Sequence, residues 1–154
     1  MTAVQRKHAA GAPVHMLEAE AAPGTRTRVQ GPLWDGVLNA TPDDDTDGPN
    51  PIEALMAALV ACTARNLRSV TDAAHVQFTH VAMRVAAERS DDPPAITALR
   101  LDLAITTELP VDRARRLVDL ALRDATITRT LARGLDLAVV LTINDCSVEA
   151  PHVA

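Results

Sequence analysis

The chain has 154 residues and a formal net charge of −5, which fits one domain with a buried core. Apolar residues make up 47 %, but there is one Phe, one Trp and no Tyr, so we expect an aliphatic core. A chain with this charge, few aromatic residues and no long basic run is not expected to bind nucleic acid.

No apolar stretch follows the basic residues of the first ten positions, so we expect no secretory signal. The most apolar run, residues 54–62, is too short to span a bilayer, and we expect a cytoplasmic protein without membrane contact. Cys62 and Cys146 are too few for a disulfide framework and have no zinc-site spacing. The five histidines form no metal-binding pattern, so neither a metal nor a cofactor is expected.

The N-terminal part of the chain predicts short strands followed by a loop. Residues 15–21 and 25–30 are typical of a hairpin around the turn at 22–24, and residues 37–40 predict another short strand. Residues 41–51, rich in Asp, Gly and Pro, predict a polar loop.

The clearest predicted element is a helix over residues 51–74, which contain no glycine and no proline after Pro51. Asn50 suits the N-cap, Pro51 suits the first position, and Glu53 suits the positive end of the helix dipole. Residues 52–62 are apolar on nearly every side, so we expect that half to be buried.

Alternating apolar residues predict antiparallel strands over residues 75–88 and 96–107, with a loop at 90–94. The remaining elements are predicted helices at 110–124 and 126–133, a strand at 135–143, and a frayed tail at 144–154. This order predicts an α+β fold in a single domain over residues 1–154. Its core is expected at about residues 25–143, with N-terminal strands within 1–30.

The segment from Gly48-Pro49-Asn50-Pro51 to Ala61-Cys62-Thr63 resembles the main motif of the OsmC/Ohr family. Residues 125–131 are similar to the second motif of that family, a Cys-Pro-Val followed by a short helix. The resemblance implies the OsmC-like fold, with antiparallel sheets packed on a long central helix in an intertwined homodimer.

The resemblance also implies a thiol peroxidase of bacterial oxidative-stress defence. Cys62 would attack an organic hydroperoxide and become a sulfenic acid, and an arginine from the N-terminal strands, Arg26 or Arg28, would assist. In the family a second cysteine then forms a disulfide, which a dithiol of the lipoyl type reduces.

Two positions depart from the family pattern. Ala125 stands where the second cysteine is expected, so the usual resolving thiol is missing. Ile52 stands where Ohr enzymes carry a glutamate, and Glu53 is one residue later, about 100° further round a helix. These departures favour an alternative, a dimer without turnover that binds a small apolar ligand.

Each candidate site residue has a second interpretation. Cys62 is either a reactive thiol, supported by Arg65 and Asn66 one turn along the helix, or a buried packing residue. Arg65 either serves that thiol or points to solvent. Glu53 either orients an arginine or interacts only with the helix dipole. Cys146 is either an unusual resolving thiol or a bystander.

Overall fold

The computed structural model describes residues 17–21, 26–31, 34–39 and 48–149. The chain forms two compact units, Met1–Pro51 and Ile52–Ala154. Within the described ranges, one sheet has three strands and the other has four. The predicted α+β class is confirmed.

The three-stranded sheet consists of β1 (Glu18–Ala21), β2 (Arg26–Gly31) and β3 (Trp34–Asn39). Both strand pairs are antiparallel, in the order β1-β2-β3. The three predicted strands are therefore present, although β3 begins earlier than expected. The predicted turn at 22–24 and most of the predicted polar loop lie outside the described residues.

Gly48 lies just before the long helix and has φ 118°, a backbone conformation that side-chain-bearing residues rarely adopt. The carbonyl oxygen of Val37 lies so close to it that a Cβ at this position would overlap the backbone. Any larger residue here would force the backbone to shift. This gives the glycine of the Gly-Pro segment a steric role.

Helix α1 (Pro51–Ala73) matches the predicted helix to within one residue. Its buried residues recur every four positions, at Leu59, Thr63, Leu67 and Thr71. The prediction that residues 52–62 are buried on nearly every side was wrong for the single chain, because alanines on the opposite side are exposed. These are Ala57, Ala58 and Ala61.

The helix ends at a left-handed residue, and this corrects the predicted start of the next strand. His75 has φ 53°, and the amides of His75 and Val76 bond back to the carbonyls of Asp72 and Thr71. This is the hydrogen-bond pattern of a Schellman cap, which here uses histidine where glycine is usual. Residues 75–79 are consequently not part of a strand.

Strands β4 (His80–Asp91) and β5 (Pro94–Thr106) form the predicted antiparallel pair. They extend into the predicted loop and leave only Asp92 and Pro93 between them. In β5 the odd-numbered residues from Leu99 to Ile105 are buried, as the alternating pattern predicts.

Helices α2 (Val111–Asp124) and α3 (Thr126–Ala132) connect β5 to β6 (Asp136–Ile143). Because these helices carry the chain back across the sheet, β6 lies parallel to β5, unlike the other strand pairs. The sheet order is β4-β5-β6-β7, where β7 is Cys146–Val148.

The predicted frayed tail is wrong for residues 146–148, which form β7 against β6. Asn144 and Asp145 both have positive φ, 49° and 63°, as in the two-residue turns that suit antiparallel hairpins. The Asn144 side chain also bonds to both backbone polar groups of Thr107, at 2.9 Å each. Residues 150–154 lie outside the described part.

The main core of the second unit is aliphatic, as the composition predicts. One side of β5 and β6 packs against α1 and α2 there. Its buried members are Leu67, Leu101, Leu103, Ile105, Ala114, Val118, Ala121, Leu122, Val139, Leu141 and Ile143. Within the described ranges, the helices are too short or too polar to cross a membrane.

Candidate functional site

Cys62 lies in the middle of α1 and its side chain is half-buried. The next residue, Thr63, belongs to the buried stripe, while Ala61 is exposed. Since neighbouring residues are about 100° apart around a helix, the sulfur lies at the edge between the covered and open sides. A thiol at this edge is held by the helix and still open to a small reagent.

A polar side chain close to this sulfur belongs to Asn66, one turn further along α1. Its Nδ2 donates to the carbonyl oxygen of Cys62 at 2.8 Å and lies 3.7 Å from Sγ. Asn66 is half-buried, like Cys62. The i+4 spacing in the sequence already placed both residues on one face, but it did not show that the amide reaches the sulfur.

Arg65 is exposed, and no ion pair involves it within the described part of the chain. Arg28, in β2, is also largely exposed and pairs with Asp35 of β3, with 2.7 Å between Nη2 and Oδ2. Its hydrogen bonds hold the pKa of the Asp35 carboxyl below the ordinary value of 3.8. Arg26 also lies in β2, but its side chain is outside the described residues.

Glu53 occupies the first turn of α1 and is exposed. It is nine residues before Cys62, which corresponds to about 13.5 Å along a helix axis. The two side chains of one chain therefore cannot touch. The first-turn position agrees with a favourable interaction with the helix dipole.

Cys146 is exposed and opens β7, where it pairs with Ile143 of β6. The strand pairing and an ion pair between Arg115 and Glu149 at 3.2 Å attach this segment to the rest of the unit. Cys146 thus lies on an edge strand rather than in a frayed tail.

A groove of about 370 Å³ lies beside the C-terminal half of α1. Its walls include Leu67, Phe78 and Met83, and the charged Arg68 and Asp72 also line it. Groove residues of α1 such as Leu67 are roughly half a turn around the helix from Cys62. The groove and the thiol are therefore on different sides of α1. Among the described residues, no group of three His, Cys, Asp or Glu side chains is placed to hold a metal.

The family model for OsmC-like protein matches residues 42–140, a range that includes α1 and Cys62. The chain belongs to the OsmC-like protein family. Among curated proteins, none matches this sequence.

Solved structures of OsmC-like proteins share the fold. The OsmC-like protein from Mycoplasma pneumoniae has a TM-score of 0.77 at 18 % identity, covering 85 % of this chain and 97 % of that one. The organic hydroperoxide resistance protein OhrB of Bacillus subtilis has a TM-score of 0.62 at 16 % identity, covering 85 % and 98 %. The organic hydroperoxide resistance protein OsmC from Legionella pneumophila has a TM-score of 0.63 at 16 % identity, covering 84 % and 97 %.

The two departures from the OsmC/Ohr pattern occupy defined places in the fold. Ala125 is fully buried between α2 and α3, so an apolar methyl group fills the position expected for the second cysteine. Ile52, half-buried, follows the proline that opens α1. The described contacts include one between Cys62 and Asn66, two of the residues singled out by sequence.

Proposed function

We propose that this OsmC-like chain reduces organic hydroperoxides with Cys62 as the nucleophile, in cytoplasmic defence against oxidative stress. The observation that carries the proposal is the half-buried Cys62 on α1, inside the segment matched by the OsmC-like family model. Two solved structures with the same fold are named organic hydroperoxide resistance proteins, which supports this chemistry.

In the proposed reaction the Cys62 thiolate attacks one oxygen of the hydroperoxide. An S–O bond forms while the O–O bond breaks, so the sulfur loses two electrons and the hydroperoxide gains them. The departing alkoxide takes a proton and leaves as an alcohol, and Cys62 is left as a sulfenic acid. Apolar neighbours on α1, the buried Leu59 and half-buried Met56, favour an organic substrate over hydrogen peroxide.

The sulfenic acid must then be returned to a thiol. With Ala125 in place of the second cysteine, a second thiol condenses with Cys62, forming a disulfide and releasing water. That thiol is either Cys146 or an external thiol, and a dithiol then reduces the disulfide by exchange.

The proposal includes a homodimer, in which the partner subunit covers the open alanine side of α1. An arginine of the N-terminal strands, Arg26 or Arg28, would stabilise the thiolate and the leaving alkoxide, assisted by Arg65. Glu53 would help to orient that arginine.

The test is intact-mass analysis and peptide mapping after one equivalent of cumene hydroperoxide, with dimedone present to trap a sulfenic acid. We expect rapid stoichiometric labelling at Cys62 in the wild type and none in Cys62→Ser. The Cys146→Ser variant is the matched control and should be labelled at Cys62 at least as strongly as the wild type. Mapping without dimedone shows whether a Cys62–Cys146 disulfide forms. If Cys62 stays unmodified where free glutathione reacts, the peroxidase proposal is wrong.

A second candidate function, binding of a small apolar ligand without turnover, is favoured by the groove beside α1. Its volume of about 370 Å³ is typical of small-molecule pockets, and Leu67, Phe78 and Met83 supply apolar walls. Ala125 is consistent with this candidate because it removes the usual resolving thiol. An inert Cys62 in the labelling experiment would leave this function as the better proposal.

A further inference from the structure

We infer that Asn66 is the positioning residue of the Cys62 thiol and that its side-chain amide stabilises the thiolate. The inference rests on the proposed use of Cys62 as a nucleophile, but it concerns the thiol itself and not the oxidant. Its basis is the approach of Asn66 Nδ2 to Cys62 Sγ at 3.7 Å.

The orientation of the amide follows from its shorter hydrogen bond. Nδ2 lies 2.8 Å from the carbonyl oxygen of Cys62. A carbonyl oxygen only accepts hydrogen bonds, so the group that faces it must be the NH₂ of Asn66 and not its oxygen. An NH₂ has two hydrogens, and with one on the carbonyl, the second is available to the nearby sulfur.

The hydrogen bond to the Cys62 carbonyl oxygen also holds the Asn66 amide in place before any reaction occurs. Both side chains are half-buried on one rigid helix, so little conformational freedom is lost when the N–H meets the sulfur. Arg65, three residues after Cys62, is exposed and would have to give up solvent contacts to do the same. The described contacts therefore assign the local donor to Asn66.

A donor beside the sulfur changes its chemistry in a defined direction. A thiolate accepts a hydrogen bond more strongly than a thiol, so an N–H donor favours the charged, nucleophilic form. An isosteric carboxylate at the same place would oppose that form by removing the donor and adding a negative charge. An apolar side chain of similar size would remove the donor alone.

The test measures the rate of Cys62 alkylation by iodoacetamide from pH 5 to 10, with Cys146→Ser as background so that Cys62 is the only thiol. For Asn66→Leu we expect the rate at neutral pH to be lower by about threefold to tenfold, the factor that corresponds to the free energy of one hydrogen bond. The midpoint of the profile should move to higher pH while the plateau at high pH is unchanged. Asn66→Asp should slow the reaction further, and Asn66→Gln, which keeps the NH₂, should recover part of the rate.

The matched control is Ser69→Ala, an exposed polar position on α1 about two turns beyond Cys62. Its rate should stay within about twofold of the background at every pH, as expected for a surface substitution. Circular dichroism confirms folding, and if Asn66→Leu does not fold, Asn66→Asp and Asn66→Gln give the comparison. An unchanged midpoint in the folded Asn66 variants overturns the inference, even if Cys62 still reacts with cumene hydroperoxide. A shifted midpoint supports it even if the hydroperoxide does not react, so this test and that of the proposed function fail independently.

Discussion

Arg28 of β2 and Asp35 of β3 are diagonal neighbours on adjacent strands, and their hydrogen bonds predict a dependence of stability on pH. The hydrogen bonds from Arg28 and Gln30 lower the pKa of Asp35 below its ordinary value of 3.8. A carboxyl whose pKa is lower in the folded state than in the unfolded state stabilises the fold, and this stabilisation is fully present at pH values above the unfolded-state pKa. The stabilisation is lost as the pH falls through the folded-state pKa of Asp35, which lies below 3.8. We expect the Asp35 carboxyl, followed by NMR, to titrate below 3.8 in the wild type.

In Arg28→Gln the Asp35 titration should move up towards the ordinary value, because the main donor is removed. Arg89→Gln is the control, since Arg89 pairs with Asp91 on the other sheet and should leave Asp35 unchanged. An Asp35 that titrates identically with and without Arg28 would show that the pair is not formed in solution.

The local surroundings of Cys62 could be predicted from the sequence only in part. Helix periodicity places Asn66 and Arg65 one turn from Cys62, and this needs no knowledge of the rest of the fold. Periodicity does not decide which of the two side chains turns towards the sulfur. That choice depends on burial, which leaves Arg65 in solvent and the shorter Asn66 against the helix carbonyl. The N-terminal arginines are harder to assign, because helix periodicity does not relate residues of β2 to residues of α1.

Elements with a long regular pattern were predicted closely, and those set by single residues were not. Helix α1 has no interior glycine or proline and ends within one residue of the prediction. Two of the errors at strand boundaries involve left-handed residues that are not glycine. His75 ends α1 and Asn144 turns β6 into β7. Glycine is the usual indication of a left-handed turn in a sequence, and neither of these positions is a glycine. The sequence therefore did not predict these two turns.

The turn between β6 and β7 should depend on the Asn144 side chain. It accepts from the Thr107 amide and donates to the Thr107 carbonyl, and Thr107 is buried. Asn144→Ala leaves both groups without these partners, and alanine tolerates the left-handed conformation less well than asparagine does. We expect a loss of about 2–3 kcal/mol in the free energy of unfolding, measured by urea denaturation.

Asp145→Gly is the matched control at the next position. Asp145 also has positive φ, and glycine adopts this conformation without steric cost. We expect that variant to be at least as stable as the wild type. Equal stability of Asn144→Ala and the wild type would show that the Thr107 bonds contribute nothing measurable to the turn.

The whole molecule keeps an OsmC-like fold with few residues in common with its structural relatives. At 18 % identity to the Mycoplasma pneumoniae protein, the TM-score is still 0.77. What the fold requires is apolar residues on one side of each strand and helix, and many aliphatic combinations satisfy that. This is why periodicity and motif order predicted the architecture. The proposed chemistry instead depends on single positions such as Ala125, which the periodicity of the fold does not specify.

The proposed homodimer makes the last prediction. Ala57, Ala58 and Ala61 form an exposed apolar side of α1, and their small side chains allow another helix to approach closely. We expect light scattering after size exclusion to give twice the chain mass of 16.4 kDa. Ala61→Arg places a long charged side chain on this side and should shift the mass towards one chain. Ala104→Arg is the control on an exposed alanine of β5 and should leave the mass unchanged. A wild type that elutes with the mass of one chain contradicts the dimer, and the exposed alanines of α1 would then face solvent.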